Sequence, residues 1–437
     1  MESKFLYKKL SAPISCQLEI GTSCDNNCIH CYNYWRKDND TLSIRMTKEQ
    51  AIDSISKLDQ AGVLWIIITG GEPLLNFDTL VSTAKECQKR QIRVSLNTNL
   101  NIINEQMADK LREIGINKIL TSVHGVGDEH DNITTHKGSF SKVMKGIKIA
   151  MKAGIHVSVN MVISKKNKGI VANVAKYISK LGINNFMATK AGCPPNCNDF
   201  TKIAVNKDEV NEYLNTLSEL HSEYGFSFDI LSSFPLCGIK NLDKVQFVGR
   251  RCMAGITTVT IGADGAIRPC NHSDIIYGNI FNDDFITSWN AMDEWRKGAF
   301  IPDTCKNCKL FGTCGGGCRI EAKTHNGDYC SMDPFSSPEN VPECIKKLNL
   351  RNRSKKNMPE IINFKLVNDV KIRDENFGAV VIGHSSAILS KKGKSIFYQM
   401  QKDTIYDINN SNITWFNVDK KTFIWGLTQR GIITINN

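Results

Sequence analysis

Three cysteines stand at the spacing Cys24-x3-Cys28-x2-Cys31, and nine more fall between Cys237 and Cys344. In a long chain without a secretory signal, thiols clustered this tightly bind metal or iron–sulfur clusters more often than they pair as disulfides. Met1–Leu10 carries three lysines with no apolar stretch behind them, and no run reaches the ~18–20 apolar residues that cross a bilayer. The longest, Gly62 to Ile68, is rich in isoleucine and runs into Thr69-Gly70-Gly71, as a buried strand does. A cytoplasmic protein with no membrane segment is expected. Hydrophobic residues make up 41% of the 437, enough for a packed core and too many for a disordered or collagenous chain.

From Gln17 to Tyr224, strand-like runs alternate with helical ones. Strands are predicted at Gln17–Thr22, Leu64–Thr69, Arg93–Asn97, Lys118–Val123, His156–Ile163 and Asn185–Lys190. Helices are predicted at Lys48–Ala61, Asp78–Arg90, Asn104–Ile114, Ser139–Ala153, Gly169–Leu181 and Lys207–Tyr224. Thr47 and Gln50 form a capping box for the first helix. Gly62, Gly115, Gly154 and Gly182 each follow a helix, where a left-handed residue ends it. Six βα units predict an α/β fold with a parallel sheet, either doubly wound or a partial (βα)6 TIM-like barrel. Ligands then belong at the C-terminal strand ends.

From Phe234 to Cys344, cysteine, glycine and short turns replace periodicity, so bound metal is the expected staple. The basic stretch Arg351–Lys356 is expected to be a linker. Strands at Phe364–Arg373 and Gly378–Ile382, and helices at Lys392–Met400 and Thr422–Arg430, predict a small α+β domain. The expected boundaries are 1–230, 231–350 and 358–437. Residues 351–437 hold 14 Lys+Arg against 7 Asp+Glu, a net +7 of the chain's +11, which suits an acidic partner. Trp415 and Trp425 would offer stacking surfaces to a nucleic acid, but no RNP, KH or helix-turn-helix pattern accompanies them.

A loop carrying Cys24, Cys28 and Cys31 after a strand can fold three thiolates around one iron–sulfur cube, leaving one iron open for chemistry. A zinc site would need a fourth ligand, for which His30 is at hand. The triad, followed by Gly70-Gly71-Glu72-Pro73 after the second strand, resembles the radical S-adenosylmethionine (radical SAM) superfamily. The resemblance implies a cofactor site at the strand ends. Gly70, Gly71, Glu72 and Pro73 would meet the methionine amino group, and Asn97, Asn99, Ser122, His124 and Asn160 would hold the ribose and carboxylate. His30, where the family usually has an aromatic residue, would pack at the adenine.

The later cysteines, Cys252-x12-Gly265-x4-Cys270 and Cys305-x2-Cys308-x5-Cys314-x3-Cys318 with Cys330 beyond, resemble the SPASM domain of radical SAM peptide-modifying enzymes. That implies two auxiliary four-iron clusters beside the SAM-binding one, three in all. One would take Cys252, Cys270 and Cys318, with Cys237 as candidate fourth ligand; the other Cys305, Cys308, Cys314 and Cys330. Eleven of the 16 cysteines are thereby used. Cys87 is expected to be a core thiol. Cys193 and Cys197, flanking two prolines, shape a substrate channel or form a redox or ligand pair; Cys16 and Cys344 have no assignment.

The resemblance implies cleavage of S-adenosylmethionine to a 5′-deoxyadenosyl radical, fed by an external one-electron reductant such as flavodoxin or ferredoxin. The expected activity is intramolecular cross-linking, by thioether or carbon–carbon bond, of a ribosomal precursor peptide (a RiPP). Oxidative decarboxylation, porphyrin side-chain modification and sulfatase-type maturation are the alternatives. Sulfatase-maturing members carry an Asp base where this chain has Asn271, an amide that cannot accept the proton, though His272 or Asp274 is near. A non-catalytic electron-transfer protein would not need Glu72 or the strand-end motifs. The C-terminal strands, with the closing Leu427-Thr-Gln-Arg-Gly-Ile-Ile433, resemble the PqqD-like recognition element, in which three strands and three helices bind a peptide leader as an added strand.

Overall fold

The computed structural model describes residues 6–33, 43–193, 200–224, 227–245, 248–354, 359–409 and 411–436, so Cys197 lies outside the described residues. The first half alternates as predicted. Its elements are β1 (Ser15–Glu19), α1 (Lys48–Gln60), β2 (Trp65–Thr69), α2 (Phe77–Lys89), β3 (Arg93–Asn97), α3 (Glu105–Glu113) and β4 (Lys118–Ser122). They continue with α4 (Asp128–Thr134), α5 (Ser139–Lys152), β5 (His156–Ile163), α6 (Val171–Lys180), β6 (Asn185–Lys190), α7 (Lys207–Tyr224) and β7 (Ser227–Asp229). The capping box forms, with Gln50 N–H donating to Thr47 Oγ1 at 3.2 Å and Thr47 N–H to Gln50 Oε1 at 2.9 Å. Two further strands, β8 (Thr258–Ile261) and β9 (Ile267–Arg268), lie in the cysteine-rich segment.

All nine strands share one sheet, in the order β7-β6-β5-β4-β3-β2-β1-β8-β9. From β1 to β7 each new strand is laid on the same side of the last. A doubly wound sheet reverses direction partway, so the order selects the partial barrel. β1 lies between β2 and β8, both parallel to it, with Cys16 opposite Ile66 and Val259. Cys16 and Cys87 are both fully buried core thiols. Residues 15–351 form one compact unit, because β8, from beyond residue 230, extends the barrel's own sheet. The spacing did not reveal β8 because Thr258–Ile261 is only four residues long among turns.

The cysteine-rich segment adds α8 (Phe285–Ala291), α9 (Asp293–Lys297), α10 (Asp303–Lys306), α11 (Phe311–Cys314), α12 (Arg319–Asn326) and α13 (Val341–Ser354). Buried arginines brace it. Arg319 donates to the carbonyls of Ser331 (2.8 Å), Tyr329 (3.1 Å) and Phe300 (3.3 Å), and to that of Gly316. Arg296 stacks 3.8 Å over the Trp289 ring and donates to the Trp289 carbonyl at 2.6 Å. α13 continues to Ser354, so the linker expected from Arg351 is helical over its first part; Arg and Lys are good helix formers. No described helix is long and apolar enough to cross a membrane.

The second compact unit joins Leu10–Ile14 to residues 352–437. It contains β10 (Asn363–Leu366), β11 (Lys371–Glu375), β12 (Gly378–Ile382), β13 (Ser386–Ser390), α14 (Lys391–Phe397), β14 (Tyr406–Asp407), α15 (Lys420–Thr428) and β15 (Ile433–Asn436). The single strand expected at Phe364–Arg373 is two strands in different sheets, broken by a turn at Asn368-Asp369, residue types that favour turns. The sheets are β14-β10-β15 and β11-β12-β13, around a core that includes Phe364, Val381, Ile396, Ile424 and Ile432. β11, β12 and β13 form an antiparallel meander followed by α14, the part of this unit to which the expectation of a PqqD-like element refers. A second sheet and two helices, in place of three helices, depart from it among the described residues. Arg373 holds Leu10–Ile14 in place, donating to the carbonyls of Ala12 (2.7 Å) and Pro13 (2.8 Å).

Candidate active site and metal centres

The loop after β1 carries Cys24, Cys28 and Cys31, all partly exposed. Polar contacts shape it. Asn27 and Ile29 N–H groups donate to the carbonyls of Thr134 (2.9 Å) and Ile133 (3.0 Å) at the end of α4. Asn99 and Asn101 amides donate to the Asp25 carboxylate at 2.6 and 2.9 Å. Asn99 Nδ2 also lies 3.8 Å from Cys24 Sγ. Donors aimed at sulfur favour its thiolate, the form that binds iron. Asn99, a residue expected at the SAM ribose or carboxylate, gives its amide to the triad loop.

The Gly70-Gly71 pair is explained by that loop. A Cβ at Gly70, whose φ is +133°, would strike the Gly21 carbonyl, and one at Gly71 the carbonyls of Thr22 and Ser23. Gly71 N–H donates to Gly21 O at 2.8 Å and Glu72 N–H to Ser23 O at 2.7 Å. Glu72, only 3% exposed, takes its Oε1 donors from Leu74 N–H (2.9 Å) and Thr98 Oγ1 (2.6 Å), and its Oε2 donor from Asn99 N–H (2.7 Å). Burial pushes its carboxyl up to about 7 in spite of these donors. The Glu72 carboxylate thereby ties the end of β2 to the loop after β3. Pro73 is buried at the start of a short 3-10 turn, Pro73–Asn76.

His30 is buried edge-on against His124, with ring centres 4.5 Å apart. One ligand atom each of Cys28, His30 and His124 lie within 4.8 Å of one another. Burial pushes His30 down to about 4, so its ring is neutral at pH 7. His124 Nδ1 accepts from Val162 N–H at 3.2 Å, which places the ring proton on Nε2. Asn97 and Ser122 are the last residues of β3 and β4, while Asn160 Oδ1 accepts from Thr189 at 2.9 Å.

The later cysteines fall into two groups. Cys252 neighbours both Cys270 and Cys318. Burial pushes all three thiols up, Cys270 to about 12, and backbone N–H groups of Ala254 and Arg319, of His272 and Ser273, and of Glu321 donate to their respective sulfurs. Cys237 is not with this group: it lines a cavity with Cys305, Cys308 and Cys314. Sequence spacing missed this because Leu236–Gly238 is a short turn whose neighbours are set by the tertiary fold. Cys330 is exposed, its Sγ 3.5 Å from the Ala299 carbonyl, and does not line that cavity. Cys193 packs with Ala191 and Phe200, and buried Cys344 donates to the Leu236 carbonyl at 3.5 Å.

Between these groups lie residues that spacing could not single out. Tyr32, next to Cys31, stacks on His272 with ring centres 4.6 Å apart and shares hydrogen bonds with Asn271 and Thr69. The triad loop thus touches the Cys270 loop directly. Glu19, the last residue of β1, pairs with Arg268, both 1% exposed. Lys190, the last residue of β6, pairs with Glu321, and its ammonium lies 4.7 Å from the Phe335 ring centre. Sequence alone offered one signal, a charged residue closing each apolar strand. Removing one partner leaves a buried charge unpaired, so Lys190→Met or Glu321→Leu alone is expected to cost ~3–5 kcal/mol, and the double change to recover most of it. Thermal unfolding of the four proteins measures this.

Comparison with known proteins follows the same division. The family model for the radical SAM superfamily matches residues 18–178, and that for the SPASM iron-sulfur cluster-binding domain matches residues 252–309. The AdoMet-dependent heme synthase of Methanosarcina barkeri is 23% identical over 353 residues, 74% of this chain and 96% of that protein. The sporulation killing factor maturation protein SkfB of Bacillus subtilis is 27% identical over 311 residues, 69% of each chain. The solved structure of native anSMEcpe with bound AdoMet and Cp18Cys peptide has a TM-score of 0.62 at 19% identity, over 78% of this chain and all of that one.

Proposed function

We propose, for a chain that belongs to the radical SAM superfamily and carries a SPASM iron–sulfur domain, that it matures a ribosomally made peptide by intramolecular cross-linking. With S-adenosylmethionine and reduced clusters bound, the cofactors supply a 5′-deoxyadenosyl radical that takes a hydrogen atom from unactivated carbon. Cys24, Cys28 and Cys31 would hold the SAM-binding cluster, with the Gly70-Gly71 backbone keeping their loop against the strand ends. His30 and His124 would wall the adenine side; Asn97 and Ser122, at the ends of β3 and β4, and Asn160, within β5, would hold the ribose and carboxylate. The sulfur-directed backbone donors at both later cysteine groups suit two auxiliary four-iron clusters.

The observation that carries this reading is the stacking of Tyr32 on His272, which puts the triad loop directly against the Cys270 loop. A substrate held at these strand ends lies between a hydrogen-abstracting site and an electron acceptor. Loss of two hydrogens, as in cross-linking, needs that adjacency. Asn271, bonded to Tyr32, offers no base for sulfatase-type maturation. SkfB, a maturation protein for a killing factor, and a structural neighbour bound to a peptide support a peptide substrate. The basic C-terminal unit would bind the leader along a sheet edge, and a flavodoxin or ferredoxin would supply electrons.

The test is anaerobic co-expression with the short peptide encoded beside the gene, followed by mass spectrometry. A loss of about 2 Da, two hydrogens removed in cross-linking, is expected, and is absent from the Cys28→Ala control. An unchanged peptide with protein that still cleaves S-adenosylmethionine overturns the peptide assignment. Porphyrin modification, suggested by the heme synthase that spans 74% of this chain, would then be tested with iron-coproporphyrin.

A further inference from the structure

The cavity around Cys305, Cys308 and Cys314 is closed by Cys237, from a distant part of the chain. The turn Leu236–Gly238 that carries Cys237 is fixed on both flanks. Leu236 N–H donates to Cys314 Sγ at 3.3 Å, and a Cβ at Gly238 would strike the Phe335 carbonyl. Cys237 Sγ accepts from Ser337 N–H at 3.3 Å, and Cys308 Sγ from Leu310 N–H at 3.4 Å. Three of the four sulfurs therefore have a backbone donor of the kind that stabilises cluster thiolates.

Resting on the reading that the chain binds auxiliary clusters, we infer that Cys237 supplies the fourth thiolate to the cluster held by Cys305, Cys308 and Cys314. Cys330, to which the resemblance gives this place, takes no part in it. Ser336, whose buried hydroxyl lines the same cavity without a hydrogen-bond partner, is the competing oxygen ligand. Four thiolates saturate a four-iron cube, so this cluster would relay electrons and not bind substrate.

The experiment uses the full chain, purified and reconstituted anaerobically, with iron and sulfide counted per chain and Mössbauer and electron paramagnetic resonance spectra recorded. Cys237→Ser is expected to drop iron from about 12 to about 8 per chain, or to about 11 with a three-iron signal. Cys330→Ser and Ser336→Ala are expected to keep the full count. Iron lost from Cys330→Ser or Ser336→Ala, with Cys237→Ser intact, overturns the assignment. A wild-type count of about 8 or less fails the underlying three-cluster reading instead. Because Cys237→Ser can misfold, the wild-type holoprotein is also alkylated with iodoacetamide. Cys330 is expected to react with no loss of iron, and Cys237 only after iron is chelated. Alkylation of Cys237 at full iron content overturns the assignment.

Discussion

Cys28→Ala is expected to abolish cleavage of S-adenosylmethionine while leaving the auxiliary clusters in place. Cys28 sits mid-loop, with Cys31 N–H donating to its carbonyl at 3.1 Å and a nitrogen of His30 near its sulfur. Alanine keeps the backbone bond and removes only the thiolate, so the loop keeps its path and the cube loses a corner. The loss of activity should exceed the ~10–100-fold typical of removing a group that only supports a ligand. Iron should fall from about 12 to about 8 per chain, because the cysteines of the other two groups lie on different loops. Anaerobic iron counting and chromatographic detection of 5′-deoxyadenosine measure both effects. Loss of all iron would show that the groups fold as one, against the partition proposed above.

Gly71→Ala is expected to be almost as damaging. The new methyl group would meet two backbone carbonyls, those of Thr22 and Ser23, and these cannot swing aside as a side chain can. Overpacking costs ~1–3 kcal/mol, and backbone obstruction belongs at the upper end. The strain falls on the segment that leads into Cys24, so cluster binding should suffer more than global stability. A fall in melting temperature of about 4–6 °C is expected, with loss of the SAM-binding cluster. Gly169→Ala, where a Cβ has nothing within 4 Å, should leave both unchanged. Calorimetry and iron content distinguish the two. Full iron in Gly71→Ala would show that the loop has another position open to it.

Much of the barrel was legible because its signals are local. Alternating β-branched and amphipathic runs, a capping box at Thr47 and glycines after four helices each act within a few residues, and the six strands and their helices appear within three residues of the expected places. Gly62, Gly115, Gly154 and Gly182 all have φ between 78° and 86°, as helix-ending residues do. The reading failed where a strand was short or its partner distant. Thr258–Ile261 joins the sheet beside β1, and Leu10–Ile14 joins the C-terminal unit through Arg373, pairings that no window along the chain contains.

The site divides in the same way. Spacing within one loop placed Cys24, Cys28 and Cys31 together, since a few intervening residues leave thiols little choice, and the resemblance grouped Cys305, Cys308 and Cys314. Only the tertiary structure decided that Cys237 faces the second of these groups, that Glu72 is occupied by Leu74, Thr98 and Asn99, and that Tyr32 meets His272. The physical reason is common to all three. A short loop restricts where its own side chains point, but contacts across the chain depend on which strands become neighbours and in what register.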